Sequence, residues 1–258
     1  MSTSLPLSVH FAELRRRLVF CLAFFAVSII VVLWQDVFFL KIVSYPHRWA
    51  ALKLHITSAF YVFRYQDNFL SQLKLSLYMG LILSFPFIVF QILMFAWGGL
   101  HQTERKRVAL FVPLFIGLFF TGVLFGYFIL IPWSLRFLMF YGQSLGFVSM
   151  VGFSDYLSLF FMLTFLTGFI FELPLVMVVC SHMGLCSSRD FRLKRSYAVF
   201  FSFVIGGVLT PPDPWTQIML ALPLIVLYEV GIWSCWMTER RKDKMDYDSS
   251  AAEKASLA

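Results

Sequence analysis

The feature that most restricts how this chain can fold is a series of long apolar runs with almost no charged side chains. A helix needs about 20 mostly apolar residues to cross a bilayer. The fourth and sixth runs each contain a single charge, Glu172 and Glu229 respectively. We therefore predict six membrane-spanning helices, at about residues 18–36, 74–97, 108–132, 156–181, 196–210 and 214–233.

The composition places the chain in lipid rather than in water. Hydrophobic residues make up 60% of the 258 positions and charged residues 14%, whereas an average soluble domain has about 45–50% and about 25%. The net charge of +7 comes from short basic clusters between apolar runs, which is typical of topology signals, so we predict no nucleic-acid binding. The four cysteines form no CxxC pair and no zinc-ligand cluster, so we predict no metal and no cofactor. The sequence has no nucleotide-binding loop, Ser/His/Asp set or HExxH motif, which favours a protein that is not an enzyme.

The distribution of Lys and Arg predicts which side of the membrane each loop faces. With six spans, 15 of the 21 Lys and Arg residues fall on one side. Short basic loops stay on the cytoplasmic side, so both termini are predicted to be cytoplasmic. Residues 37–72 then form a long first outer loop. Residues 137–154 lack charge, but a seventh span there would reverse the later basic clusters, so we predict a loop or an interfacial segment.

The last two predicted helices are short. Residues 196–210 span about 22 Å as a helix, less than the hydrocarbon core of about 30 Å. Three prolines and an aspartate separate the fifth helix from the sixth. We predict one membrane domain at residues 1–238, followed by a polar cytoplasmic tail at 239–258 that is disordered because it has little apolar surface to bury.

Glu172 is the most informative single residue, because it lies well inside the fourth span. A charged side chain at the centre of a spanning helix costs about 2.5–3.5 kcal/mol on insertion scales, and such residues face a protein interior or a water-filled cavity. Glu172 is therefore a functional candidate. Pro174 follows two residues later and predicts a kink in the helix.

Three acidic residues near span ends leave alternatives open. Glu104 precedes three basic residues and is either a solvated loop charge or an acidic receptor for a basic peptide, since a carboxylate can accept two hydrogen bonds from a guanidinium. Glu13 and Arg17 are spaced to pair on one helix face, so their segment is either an interfacial helix or a polar surface for a partner. Asp213 precedes Pro214 and suits the N-cap of the sixth helix.

Taken in order, these residues resemble the TatC family, the multispanning receptor subunits of twin-arginine protein translocases. The resemblance covers about residues 8–235; each motif is weak alone, and the ordered set is specific. Gly98 stands where the family usually has a proline, so the loop carrying Glu104 is expected to be less rigid. The matching motifs are His10…Glu13-Leu14-Arg15-Arg16-Arg17-Leu18, Phe95…Leu100…Glu104-Arg105, Tyr127…Pro132, Phe171-Glu172-Leu173-Pro174, Arg195-Ser196-Tyr197, Thr210-Pro211-Pro212-Asp213…Gln217 and Pro223…Tyr228-Glu229.

The resemblance implies a concave bundle of six helices that is the twin-arginine signal-peptide receptor and core scaffold of the Sec-independent translocase, which exports folded proteins and is driven by the proton-motive force. It implies that Glu172 lies in the concave face and that single-span partner subunits dock on the fifth and sixth helices. The signal-peptide residues that it implies are Glu104, Phe95, His10, Glu13, Arg15 and Arg17. The residues that it implies for the partner-docking region and outer turn are Thr210, Pro211, Asp213 and Gln217.

The same resemblance implies partners and a location. The partners are single-span subunits of the TatA and TatB type, twin-arginine precursor proteins, further copies of the chain and the lipid bilayer. The location is the inner membrane of a bacterium or, as the alternative, the mitochondrial inner membrane. Two other functions stay open. One is a small secondary transporter or proton channel built around Glu172, and the other is a purely structural assembly subunit, for which Glu104 would not matter.

Overall fold

The computed structural model describes residues 7–54, 59–97, 102–146, 150–182, 184–209 and 213–256. Within these ranges, only the backbone is described for residues 7–10, 93, 96–97, 102–111, 209 and 241–256. The described chain is almost entirely helical. The helices are α1 (Leu7–Trp34), α2 (Asp36–Lys53), α3 (Tyr65–Trp97), α4 (Gln102–Phe125), a π-helical turn (Gly126–Leu130), α5 (Ile131–Ser144), α6 (Phe153–Phe171), α7 (Leu173–His182), α8 (Ser188–Leu193), α9 (Arg195–Leu209) and α10 (Pro214–Ser256). Two short strands, β1 (Phe60–Tyr61) and β2 (Val151–Gly152), pair in parallel.

Several of these helices have the length and composition of membrane spans. Across the described residues, five are long and apolar enough to cross a bilayer, and Arg195–Val208 in α9 forms a shorter apolar helix. The all-α membrane fold predicted from the sequence is thereby confirmed. The side of the membrane on which the termini lie stays a prediction. The five longer segments are Phe11–Trp34, Tyr65–Ile92, Val112–Ser144, Phe153–His182 and Pro214–Arg240.

The two loops predicted on the outer side contain helix. Within 37–72, α2 buries Phe39, Val43 and His47 on one side. This helix was not predicted, because its charged residues interrupt any charge-free run. The third span does not end at Pro132, because the π-helical turn leads directly into α5. Pro132 is the second residue of α5 and directly follows the π-helical turn.

The C-terminal part of the chain corrects two further predictions. The sixth helix is not short, because α10 runs for 43 residues, whereas α9 has 15. The tail from residue 239 was predicted to be disordered, but α10 continues to Ser256. No Gly or Pro follows Gly231, and the tail is rich in Glu, Lys, Arg and Ala, which are strong helix formers.

The chain divides into two compact units, Met1–Leu166 and Thr167–Ala258. In the N-terminal unit, α1 packs along α3. A Cβ at Gly80 would lie 3.0 Å from Cγ1 of Ile29, so only glycine lets the two helices come this close without a shift. Nearer the N-terminus of α1, the rings of Phe24 and Phe87 stack with centroids 4.4 Å apart.

Aromatic side chains also pack against one another inside the N-terminal unit. Phe85 and Phe119 stack with centroids 3.5 Å apart, and Phe165 packs edge-on to both rings. Two tyrosine hydroxyls bond the backbone of α2. Tyr156 donates to the carbonyl of Val43 at 2.5 Å, and Tyr127 donates to the carbonyl of residue 42 at 2.8 Å.

In the C-terminal unit, α7, α8 and α9 pack on α10. A Cβ at Gly231 would overlap Sδ of Met177 and would lie 3.3 Å from Cα of Pro174, so this glycine allows α7 and α10 to touch. The hydroxyl of Tyr228 donates to the carbonyl of Phe191 at 2.9 Å and ties α10 to the short helix α8.

Candidate functional site

The polar residues of α1 form a paired group against α3. Arg17 donates through Nε and Nη2 to Oε1 of Glu13, at 3.1 and 2.6 Å, which closes the ion pair that the spacing predicted. Through Nη1, Arg17 also donates to Oε1 of Gln91 on α3 at 3.2 Å. The Arg17 side chain is only 17% exposed, whereas Arg15 is fully on the exposed side of α1. Glu13 and Arg17 are therefore engaged with each other and with α3.

The register between α1 and α3 determines what lies near this group. Ile29 meets Gly80, Phe24 stacks on Phe87, and Arg17 meets Gln91, so the two helices run in opposite directions. The N-terminal end of α1 therefore lies next to the C-terminal end of α3. Phe95 lies there, one helical turn after Gln91, and is half-buried.

Two of the remaining predicted signal-peptide residues are described by their backbone alone. His10 lies in the first turn of α1, and Glu104 is the third residue of α4. The four residues between α3 and α4, 98–101, lie outside the described residues, and Gly98 is one of them. The structure brings Glu13, Arg17 and Phe95 to the same end of the N-terminal unit, and Glu104 follows Phe95 closely along the chain.

Glu172 lies at the break between α6 and α7, where Pro174 predicted a kink. The residue is 3% exposed, and its own backbone carbonyl accepts from the N–H of Val176 at 3.0 Å. Pro174 falls in the first turn of α7, where proline is tolerated. The helix is therefore interrupted at Glu172, and the Glu172 side chain is buried.

The start of α10 accounts for two predicted residues of the outer turn. Oδ1 of Asp213 accepts from the backbone N–H of Thr216 at 2.7 Å, which is an N-cap. Gln217 donates through Nε2 to the carbonyl of Phe203 at 2.9 Å and so ties α10 to α9. Thr210 and Pro211 lie outside the described residues.

Sequence reasoning missed two polar residues that hold helices together. One is Gln91, whose only signal in the sequence is that it is a lone amide in an apolar run. The other is Glu239 on α10, which accepts from Ser181 Oγ at 2.9 Å, from the Ser188 N–H at 2.8 Å and from Ser188 Oγ at 2.5 Å. Arg195 and Glu229 add an exposed ion pair at 2.6 Å between α9 and α10.

These features define a helical membrane protein with several spans. Its first helix carries a polar group, Glu13 and Arg17, near its N-terminal end. The family model described as "Sec-independent protein translocase protein (TatC)" matches residues 9–223. The chain is 30% identical to a TatC protein of Halalkalibacterium halodurans over 237 residues, covering 92% of this chain and 91% of that protein. It is 33% identical to a TatC protein of Escherichia coli strain K12 over 235 residues, covering 88% and 87%.

A comparison with solved structures also finds a TatC protein. The crystal structure described as that of the twin arginine translocase receptor TatC matches this chain with a TM-score of 0.75 at 28% identity, covering 88% of this chain and 98% of that one. The chain belongs to the TatC family of Sec-independent protein translocase proteins.

Proposed function

We propose that this chain is the twin-arginine signal-peptide receptor and core scaffold of a Sec-independent translocase that exports folded proteins. Membership of a transport family supports a role in translocation. The observation that carries the receptor role is the α1–α3 register, which brings Glu13 and Arg17 to the end of α3 where Phe95 lies.

In this proposal the paired arginines of the signal bind at the start of α4 and the end of α3. The carboxylate of Glu104 accepts two hydrogen bonds from a guanidinium, a fork geometry that a lysine ammonium does not reproduce. The ring of Phe95 offers its face to a cation, which is worth about 0.5–1 kcal/mol where the site is exposed. His10, Glu13 and Arg15 complete the polar surface on α1.

The apolar part of the signal then lies along the membrane-spanning helices, and Glu172 supplies a polar contact at the break between α6 and α7. A buried carboxyl in a spanning segment favours a functional role. The proton-motive force drives the later transport step.

The same proposal assigns partners and a location. Single-span TatA and TatB subunits dock on α9 and α10, near Thr210, Pro211, Asp213 and Gln217. The large apolar side chains that α9 exposes, including Tyr197, Phe200 and Phe201, support a docking face for an apolar helix. The chain associates with further copies of itself and lies in the inner membrane of a bacterium, with the mitochondrial inner membrane as the alternative.

Photocrosslinking tests the receptor role. A crosslinking residue at position 104 is challenged in membranes with a twin-arginine signal peptide and with a twin-lysine peptide. We expect labelling by the twin-arginine peptide only. In a separate binding assay, Glu104→Gln should weaken binding at least tenfold, whereas Asp155→Asn, an exposed carboxylate on the predicted outer side, should not.

Equal labelling by both peptides, or binding that ignores Glu104→Gln, would contradict the receptor role. If Glu172→Gln then abolished the flux of a small solute through reconstituted vesicles, a transporter or proton channel would replace it. If neither residue mattered to binding or flux while the complex failed to assemble without the chain, a structural subunit would be the better description.

A further inference from the structure

Gln91 is a polar residue in the apolar helix α3, one turn before Phe95. We propose that Gln91 is a positioning residue of the signal-peptide receptor, which holds the Glu13–Arg17 pair against α3 and so fixes the start of α1 beside Phe95. This inference rests on the receptor function proposed above. It assigns Arg17 a role inside the receptor and leaves contact with the signal to its neighbours.

The hydrogen-bond geometry carries the first step. Three nitrogens of the Arg17 guanidinium are engaged, two with the carboxylate of Glu13 on α1 and one with the side-chain oxygen of Gln91 on α3. A planar guanidinium with rigidly placed donors fixes the direction of both partners. Arg17 therefore links the two helices through its side chain, and its charge is largely compensated by Glu13.

The position of this link along α1 carries the second step. Three contacts show the register of α1 on α3, namely Ile29 against Gly80, Phe24 on Phe87, and Arg17 with Gln91. The Arg17–Gln91 contact is the one nearest the N-terminus of α1. The helix continues from there back to Leu7, which is about 15 Å further. That stretch contains His10 and Glu13, so their orientation depends on the link at its base.

Exposure separates Arg17 from its neighbours. Arg15 and Arg16 are exposed, whereas the Arg17 side chain is 17% exposed and packs between α1 and α3. A ligand meets the first two before the third. Loss of the link should thus weaken signal binding by letting the start of α1 move, because binding must then order that segment at its own cost.

The experiment uses the full chain in lipid nanodiscs and measures binding of a twin-arginine signal peptide to single and double variants. Gln91→Ala should weaken binding about tenfold, the effect of losing one hydrogen bond to a charged group. Gln91→Glu should stay within about twofold of the parent, because a carboxylate still accepts from Arg17. Gln66→Ala, an exposed glutamine at the far end of the same helix, is the matched control and should change nothing.

Two further measurements separate positioning from mere stability. In an Arg17→Ala background, adding Gln91→Ala should cause no further loss, because the link is already absent. Nitroxide labels at Ala12 and Ile92, both exposed, should show a narrow distance distribution in the parent and in Gln91→Glu and a broader one in Gln91→Ala.

The inference is overturned if Gln91→Ala binds the peptide as well as the parent does. It is also overturned if the loss of affinity caused by Gln91→Ala adds in full to the loss caused by Arg17→Ala, or if Gln91→Glu binds as weakly as Gln91→Ala. The parent chain distinguishes this failure from failure of the proposed function. If the parent prefers twin-arginine over twin-lysine peptides and depends on Glu104 while Gln91 is irrelevant, only the positioning role fails. If the parent shows no such preference, both fail.

Discussion

The two units of the chain each bring a pair of helices into close contact at a glycine, but they secure that contact by different means. In the N-terminal unit, Gly80 lets α3 approach the backbone of Ile29, and stacked aromatic rings continue the contact. In the C-terminal unit, Gly231 faces Met177 and Pro174, and polar contacts also join α10 to α7, α8 and α9. These polar contacts include Tyr228 with Phe191, Arg195 with Glu229, Gln217 with Phe203, and Glu239 with Ser181 and Ser188.

Both means of securing a helix contact follow from the solvent. Lipid gives two apolar helices no hydrophobic reason to associate, so shape complementarity and interhelical hydrogen bonds must do it. The N-terminal unit combines stacked rings with tyrosine hydrogen bonds to α2, and it has its α1–α3 polar link at the end where we propose that the signal binds. The C-terminal unit uses polar contacts to fix the connection between α7 and α9 on α10. The first arrangement leaves polar groups for a ligand, and the second favours a scaffold.

The largest expected effect comes from filling the close contact in the N-terminal unit. Gly80→Val should lower the free energy of unfolding by about 2–3 kcal/mol, because the added atoms meet backbone atoms of Ile29 that cannot turn aside. Gly117→Val is the matched control, since a Cβ at Gly117 meets nothing within 4 Å. Unfolding of each purified variant by SDS in mixed micelles measures the loss in the free energy of unfolding. Equal effects at the two glycines would show that helix propensity, not the α1–α3 contact, determines the loss.

An intermediate effect is expected from the polar contacts of the C-terminal unit. Glu239→Ala removes the acceptor of three hydrogen bonds and should cost about 1–2 kcal/mol, reduced from the buried value because Glu239 is partly exposed. Glu253→Ala, in the tail of α10, is the control. Hydrogen exchange should rise at Ser188 and its neighbours. Unchanged exchange there would mean that the capping box of Ser187 and Asp190 alone holds α8.

The spans were predictable because a membrane helix is recorded locally in the sequence. A run of about 20 apolar residues is sufficient to identify it, and the break at Glu172 followed from Pro174 two residues away. The N-cap role of Asp213 and the pairing of Glu13 with Arg17 depend on spacings of three and four residues, and both are present. Each of these features requires only neighbours along the chain.

The parts that were missed depend on distant partners or on mixed composition. Gln91 and Glu239 each bond residues that are more than 50 positions away, and no pattern around them identifies those partners. Helix α2 was missed because Lys41 and Arg48, both on its exposed side, interrupt the charge-free run in the sequence, although the opposite side of the helix is apolar and buried. The polar composition of the tail predicted disorder, whereas its Glu, Lys, Arg and Ala residues favour the helix that α10 forms there.

The last effect occurs only in acid, and it sharpens the comparison by asking which unit responds to a fall in pH. His47 on α2 is 2% exposed and packs against the ring of Phe60, with centroids 4.3 Å apart. Burial, and then the neighbouring charge of Arg48, lower the pKa of His47 from 6.5 to about 4. The folded chain therefore binds this proton less readily than the unfolded chain. The contribution of His47 to the free energy of unfolding is complete above pH 6.5 and is lost as the pH falls towards about 4.

Comparison of the parent chain with His47→Gln isolates this contribution, since the carboxylates titrate alike in both proteins. The stability difference between them should be constant above pH 6.5 and should shift against the parent as the pH falls from there to about 4. Hydrogen exchange should report the loss first in residues 36–53 of the N-terminal unit, ahead of residues 214–240. Parallel curves across that range, or exchange that begins in α10, would place the acid sensitivity in the polar contacts of the C-terminal unit instead.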